Sequence, residues 1–235
     1  MKTNPFPNKK IFFVIPAFNE EKSIGRVVDE LKEAGYDNIV VIDDGSQDST
    51  FAEAKKRRIH ALQHIINRGQ GASLRTGIEY ALMQGAEFIV TFDSDGQHRV
   101  EDLPAMLKPV IKEEADVTLG SRFIKKGDIS RIPLGRKILL KGSVFVQWLF
   151  YGVKLSDAHN GFRVISRRAA QRIRIDSDRM EHASEILEEI VKKRIKYKEV
   201  PVVIRYTGYS MQKGHGSFKG ALKVFFKMIV RRLTH

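Results

Sequence analysis

The chain has no cysteine, which excludes disulfides and thiolate metal sites. It also has no long apolar run. The best candidate, residues 134–153, is broken by Arg136, Lys137 and Lys141, and its uncharged stretch, 142–153, is 12 residues long. A membrane-spanning helix needs roughly 20. No secretory signal is expected, because Lys9-Lys10 leads straight into a short apolar segment with no small-residue cleavage pattern. A cytoplasmic location follows as the default expectation. There is no internal repeat, low-complexity tract or evident interdomain linker. Acidic residues are scarce in the second half: residues 121–235 carry 26 Lys/Arg against 9 Asp/Glu, whereas residues 1–120 carry 15 against 19. The two halves are therefore expected to meet different partners, the basic one a polyanion, either nucleic acid or an anionic membrane surface.

Strand and helix signals alternate through the first 120 residues. Strands are predicted at 11–15, 39–42, 61–64, 88–92 and 117–119. Helices are predicted from Glu20 to about Ala34 with Asn19 as cap, from Ser46 or Asp48 to Arg58, from Gly71 to Gln84, and over 101–113. That order predicts an α/β fold with a mostly parallel sheet flanked by helices. Beyond it, strands are predicted at 162–165 and 199–206, a helix over 181–193, a loop over 208–216 and a helix over 217–233. The chain divides on this reading into a domain of residues 1–206 and a closing loop with a C-terminal helix over 207–235.

Two apolar runs end on carboxylates. One is Val40-Val41-Ile42-Asp43-Asp44-Gly45-Ser46, the other Phe88-Ile89-Val90-Thr91-Phe92-Asp93-Ser94-Asp95-Gly96-Gln97-His98. Each reads as a buried strand followed by a loop at its carboxyl edge, where ligands sit in open α/β sheets. Carboxylates there are costly to bury unpaired. A divalent cation bridging a diphosphate would pair them, and oxygen ligands suit Mg²⁺ or Mn²⁺.

With Ile15-Pro16-Ala17-Phe18-Asn19-Glu20-Glu21, Asn67-Arg68-Gly69-Gln70-Gly71, Gly120-Ser121-Arg122 and Asp157-Ala158-His159-Asn160-Gly161-Phe162-Arg163, these segments resemble the family 2 glycosyltransferases, and within them the dolichyl-phosphate mannosyltransferase branch. The motifs fall in the family's order along nearly the whole chain. The resemblance implies the GT-A type nucleotide-diphospho-sugar transferase fold and an inverting transfer of one sugar from a nucleotide-sugar to a polyprenyl phosphate. The Gln-x-x-Arg-Trp motif of processive synthases is absent, Gln147-Trp148 lacking that spacing, so a single transfer is expected.

The resemblance also implies roles. Pro16, Phe18, Glu20 and Asp43 line the base and ribose, with Asp44, Asp93 and Ser94 also on the donor. Asp95 is the first-choice metal ligand, with Asp93 and Gln97, or His98, completing the sphere. Arg122 and Arg136 contact the donor diphosphate and acceptor phosphate. A hydroxyl often stands four residues after the second arginine; here that position is Leu140, and Ser143 lies a turn away. Lys213 is a further phosphate contact. Arg163 is either an acceptor contact or a surface pairing, and Asp157 holds the acceptor loop or the sugar. Should the acceptor be a hydroxyl, a base is needed, and Glu181 or Glu185 is the candidate. Lys219, Lys223, Lys227 and Arg231 recur every four residues beside Phe218, Leu222, Phe225, Phe226, Ile229 and Leu233. That is the pattern of a basic amphipathic helix on an anionic membrane, so peripheral contact at the inner membrane face, or a partner membrane protein, is expected rather than nucleic acid. Two other readings remain: transfer to a saccharide hydroxyl, and a non-catalytic polyanion-binding protein on a degenerate transferase fold.

Overall fold

The computed structural model describes residues 4–124, 155–157 and 160–205. Within them run β1 (Ile11–Ala17), α1 (Ile24–Glu33), β2 (Ile39–Asp43), α2 (Thr50–Lys56), β3 (His60–Gln63), α3 (Gln70–Met83) and β4 (Phe88–Thr91). A short 3₁₀ turn (Val100–Asp102) leads into α4 (Leu103–Ile111), followed by β5 (Val117–Ser121), β6 (Arg163–Ser166), α5 (Arg167–Ala170), α6 (His182–Lys192) and β7 (Tyr197–Pro201). The strands form one sheet in the order β3-β2-β1-β4-β6-β5-β7. All pairings are parallel except those of β6, which runs antiparallel to both β4 and β5.

The central strands are apolar on both faces because both faces are covered. Phe13, Ile15, Val41 and Val90 pack with Val27, Leu31, Leu103 and Leu107 of α1 and α4. Phe12, Val14, Ile42 and Ile89 pack with Leu74, Ile78, Ile186 and Ile190 of α3 and α6. Every residue of β1 and β2 is buried, the mark of a parallel sheet's interior.

Two elements differ from the sequence expectation. Helix α1 starts at Ile24, not Glu20. Asn19 takes φ 53, the Glu20 N–H donates to Thr50 Oγ1 at 2.7 Å, and the Glu21 N–H donates to Asp48 Oδ2 at 3.2 Å. The donors expected at a helix start are thus tied to the loop after β2. Strand β7 lies earlier than expected, pairing Tyr197 with Val117 and Pro201 with Ser121. Past it, the Val203 N–H donates to Asp102 and the Arg205 N–H to the Gln97 carbonyl, drawing the chain off the sheet. The expected C-terminal loop and helix lie outside the described residues, as does all of 134–153.

The reversal of β6 follows from where the chain leaves and returns. It exits β5 at Ser121 and comes back beside it, with the Ser121 and Ser156 hydroxyls 2.5 Å apart. A strand that starts at that edge has to run away from it. The carboxyl ends of β1, β2, β4 and β5 and the amino end of β6 therefore share one edge of the sheet.

Candidate active site

The loops after β1 and β2 are laced together at that edge. The Asn19 N–H donates to Ser46 Oγ at 2.9 Å, and the Gln47 N–H to Asn19 Oδ1 at 2.9 Å. Asp43, fully buried at the end of β2, accepts from the Ser46 N–H and hydroxyl and from Gln63 Nε2 at 2.8 Å. Glu20 is buried and accepts the Ser23 hydroxyl at 2.5 Å. Pro16 is buried one residue before the end of β1, and Phe18, just past it, is 43% exposed.

Asp44 points elsewhere. One of its oxygens accepts the Arg68 N–H at 3.0 Å and lies 2.7 Å from His64 Nδ1; the other accepts the Gly69 N–H at 2.6 Å. It holds the loop between β3 and α3. Gly45, at φ 72, is required where that loop passes: an added Cβ would lie 2.8 Å from the Ile66 carbonyl carbon.

The Asp93-Ser94-Asp95 turn follows β4 directly. His98 sits below it, its ring centroid 5.2 Å from that of Phe92 and 5.1 Å from that of Phe162. Its Nε2 lies 2.8 Å from Asp93 Oδ2, close but off the hydrogen-bond direction, since neither ring nitrogen has an aligned partner. Gln70 Nε2, at the start of α3, donates to Asp93 Oδ1 at 3.3 Å. Gly161 closes the other side: a Cβ there would stand 2.7 Å from an Asp93 oxygen. Burial pushes the Asp93 carboxyl up, but the His98 ring, Arg163 and His182 more than offset this and hold it below its ordinary value. Asp95 goes the other way. Burial and the neighbouring Asp93 charge push its carboxyl up to about 6, although the Gln97 N–H donates to it at 2.9 Å.

Across the edge, Arg122 is clamped by Asp157, with Nε and Nη2 at 2.6 and 2.7 Å from its two oxygens and the backbone N–H at 3.1 Å. Asp157 is itself buried, and Glu199 accepts the Ser156 and Asp157 N–H groups. Arg163 is 2% exposed; the surface pairing entertained for it does not occur, because its strand lies between β4 and β5. Glu185 is also buried, and its Oε2 accepts the Ser177 N–H at 2.8 Å, which makes it a holder of the loop before α6. Glu181 stands at the cap position of α6. Arg136, Ser143 and Lys213 lie outside the described residues.

Sequence reasoning missed Gln70 and His182. Gln70 stands in the Asn67–Gly71 motif and His182 next to Glu181, but only the fold brings the starts of α3 and α6 together at Asp93. His182 is 3% exposed, and its Nδ1 lies 2.7 Å from the Arg179 carbonyl, so Nδ1–H is the donor. Burial, reinforced by the Arg163 charge, pushes its pKa down to about 4, and the ring is neutral at pH 7.

Among the described residues no three His, Asp or Glu side chains converge on one metal position. Asp95 nevertheless fits a cation, because burial and Asp93 both oppose its negative charge and a cation would offset them.

The family pattern described as Glycosyl transferase family 2 matches residues 12–174, and the chain belongs to that family. It is a glycosyltransferase. A relative in Methanococcus voltae, UDP-N-acetylglucosamine–dolichyl-phosphate N-acetylglucosaminyltransferase, is 32% identical over 96% of this chain and 97% of its own length. The polyprenol monophosphomannose synthase of Mycolicibacterium smegmatis is 29% identical over 71% of this chain and 65% of its own. Glucosyl-3-phosphoglycerate synthase from Mycobacterium tuberculosis, solved with Mn²⁺, UDP and glucosyl-3-phosphoglycerate, superposes with a TM-score of 0.67 at 17% identity, covering 96% of this chain and 81% of its own. That likeness establishes the GT-A-like fold.

The buried imidazole of His182 gives a pH test. Its folded pKa, about 4, lies below the ordinary 6.5, so the unfolded chain binds more protons between those values. The stability it permits is therefore present above about 6.5 and lost as pH falls towards 4. The full loss is on the order of 3 kcal/mol. His182→Gln should flatten the pH dependence of urea unfolding between pH 7 and 4.5. Identical pH slopes for variant and wild type would refute a neutral buried ring.

Proposed function

We propose that the chain transfers one sugar, with inversion, from a nucleotide-sugar to a polyprenyl phosphate at the inner face of the membrane. The observation that carries the reading is the Asp93-Ser94-Asp95 turn, set after β4 at the edge it shares with the carboxyl end of β1, with the charge of Asp95 only partly compensated. The Methanococcus voltae relative, matched over almost the whole of both chains and named for a dolichyl-phosphate acceptor, supports the acceptor class. Among the described residues no helix is long and apolar enough to cross a membrane. Contact with the membrane is assigned to the basic segment 217–233, expected from the sequence to be helical, or to a partner protein.

Pro16, Phe18, Glu20 and Asp43 receive the base and ribose. Phe18 offers the stacking face, and the carboxylates accept from N–H and hydroxyl groups. Asp95 holds the divalent cation, Mg²⁺ or Mn²⁺, with Gln97 and Asp93 beside it. Bound there, the cation would offset diphosphate charge and stabilise the departing nucleoside diphosphate. Arg122, its guanidinium plane fixed by Asp157, is assigned to the phosphates, and Arg136, Ser143 and Lys213 are assigned the same role on the family resemblance alone. A phosphate monoester arrives ionised, so these residues position it, and no proton has to be removed.

Asp95→Asn keeps the side-chain shape and removes the charge that meets the cation. Transfer from UDP-N-acetylglucosamine or GDP-mannose to polyprenyl phosphate should fall at least about 100-fold. A chelator should reproduce the loss in wild type, and Mn²⁺ or Mg²⁺ should reverse it. Undiminished transfer in excess chelator would end the metal assignment.

The acceptor is tested by comparing Arg136→Ala with Glu181→Gln. Losing one charge-assisted phosphate contact costs on the order of 1.5–3 kcal/mol. Arg136→Ala should raise the KM for polyprenyl phosphate by roughly 10- to 100-fold and leave donor affinity unchanged, while Glu181→Gln should change little. The reverse pattern would point to a hydroxyl acceptor and a carboxylate base.

The membrane contact is tested by replacing Lys219, Lys223 and Lys227 with glutamate. Each lysine near an anionic surface is worth about 1 kcal/mol, so the variant should no longer co-sediment with anionic vesicles. Co-sedimentation indifferent to the substitutions and to salt would exclude a surface-bound basic helix.

A further inference from the structure

Arg163 opens β6 opposite Thr91, on the last rung before the site edge. It heads the largest fully buried side chains, and its Nη1 has no hydrogen-bond partner. Burial lowers its pKa to about 10, with the charges of Asp93 and Asp157 acting against that fall, so it is a guanidinium at neutral pH. Buried charges are ordinarily paired and hydrogen-bonded. A guanidinium serving only as counter-charge would close on one of the two carboxylates, as Arg122 closes on Asp157. Arg163 makes no such bridge among the described residues. Three residues earlier, Asn160 is 6% exposed, and its Nδ2 is also without a partner. Two unpaired buried donors thus enter the site on one short segment beside Asp93, where Gly161 keeps the space between them free of a side chain.

We propose that Arg163, with Asn160 beside it, is an oxygen-receiving subsite for the donor, taking an oxygen of the transferred sugar or of the phosphate that carries it. The proposal rests on the nucleotide-sugar reading above and adds a residue to it. Asp93 and Asp157 hold the charge in place without consuming its donors.

The test is calorimetric, with Mn²⁺ present and no acceptor, comparing UDP with UDP-N-acetylglucosamine, or GDP with GDP-mannose, whichever pair the wild-type chain binds. Arg163→Met keeps the length of the side chain and removes the donors. It should weaken nucleotide-sugar binding at least about tenfold. If the oxygen is the sugar's, nucleoside diphosphate affinity stays unchanged; if it is the phosphate's, both affinities fall together. Arg163→Lys should recover part of the loss. Affinities within twofold of wild type for both ligands would overturn the proposal. So would a loss that more Mn²⁺ fully restores, because Arg163 would then act only by arranging the carboxylate turn. Should Arg163→Met fail to fold, Arg163→Lys is read by the same criteria. A wild-type chain that binds neither pair removes the nucleotide-sugar reading, and this subsite with it.

Discussion

Holding Asp93 and Asp95, both half-buried, two residues apart after one strand is the constraint around which this edge of the sheet is built. Like charges so close raise each other's cost of ionisation, and burial raises it further. The two carboxyls are compensated unequally. Asp93 has the His98 ring, the Gln70 amide and the fields of Arg163 and His182, and it stays below its ordinary pKa. Asp95 has one backbone N–H and is pushed up to about 6. That inequality separates a carboxylate set by the protein from one whose charge a ligand can complete.

Several other carboxylates do mechanical work. Asp44 grips the backbone of Arg68 and Gly69. Asp178 accepts from Arg68 and Arg75, and its carbonyl takes the Ala72 N–H. Glu185 fixes Ser177, and Glu199 fixes Ser156 and Asp157. Loops at a ligand-binding edge have no ladder to satisfy their N–H groups. Here side-chain carboxylates satisfy them and so fix where Gln70, His182 and Arg122 stand. Of these only Asp44 belongs to the acidic first half; Asp178, Glu185 and Glu199 are among the nine acids of the basic one.

How much of this was legible in the sequence varies by element. β1, β2 and β4 were legible because parallel strands covered on both faces are unbroken apolar runs. β7 was misplaced because Tyr197-Lys198-Glu199 is an edge strand, with Glu199 turned to the Ser156 loop, and carries no such run. The start of α1 was missed because Asn19, Glu20 and Glu21 look like a cap and first turn, while the hydrogen bonds that the Glu20 and Glu21 N–H groups donate to Thr50 and Asp48 override that local preference. In the site, the positions of Asp43, Asp93 and Asp95 could be read from the strands that precede them. The backbone contacts of Asp44 could not: adjacent residues at a strand end point opposite ways, and that Asp44 meets the β3–α3 loop is set by how that loop returns.

The antiparallel β6 ties these observations together. In an all-parallel sheet the strand beside β4 would bring its carboxyl end to the site, and residues 160–163 would lie at the far edge. Because the chain returns next to Ser121, the segment Asn160 to Arg163 enters at the site itself, its glycine against Asp93 and its arginine in the interior. The reversal therefore delivers a buried cation to the carboxylate turn from the strand on its other side. It also explains how the basic half of the chain can serve a site whose Asp43, Asp93 and Asp95 come from the acidic half. The two charge classes separated along the sequence meet across the β4–β6 pairing.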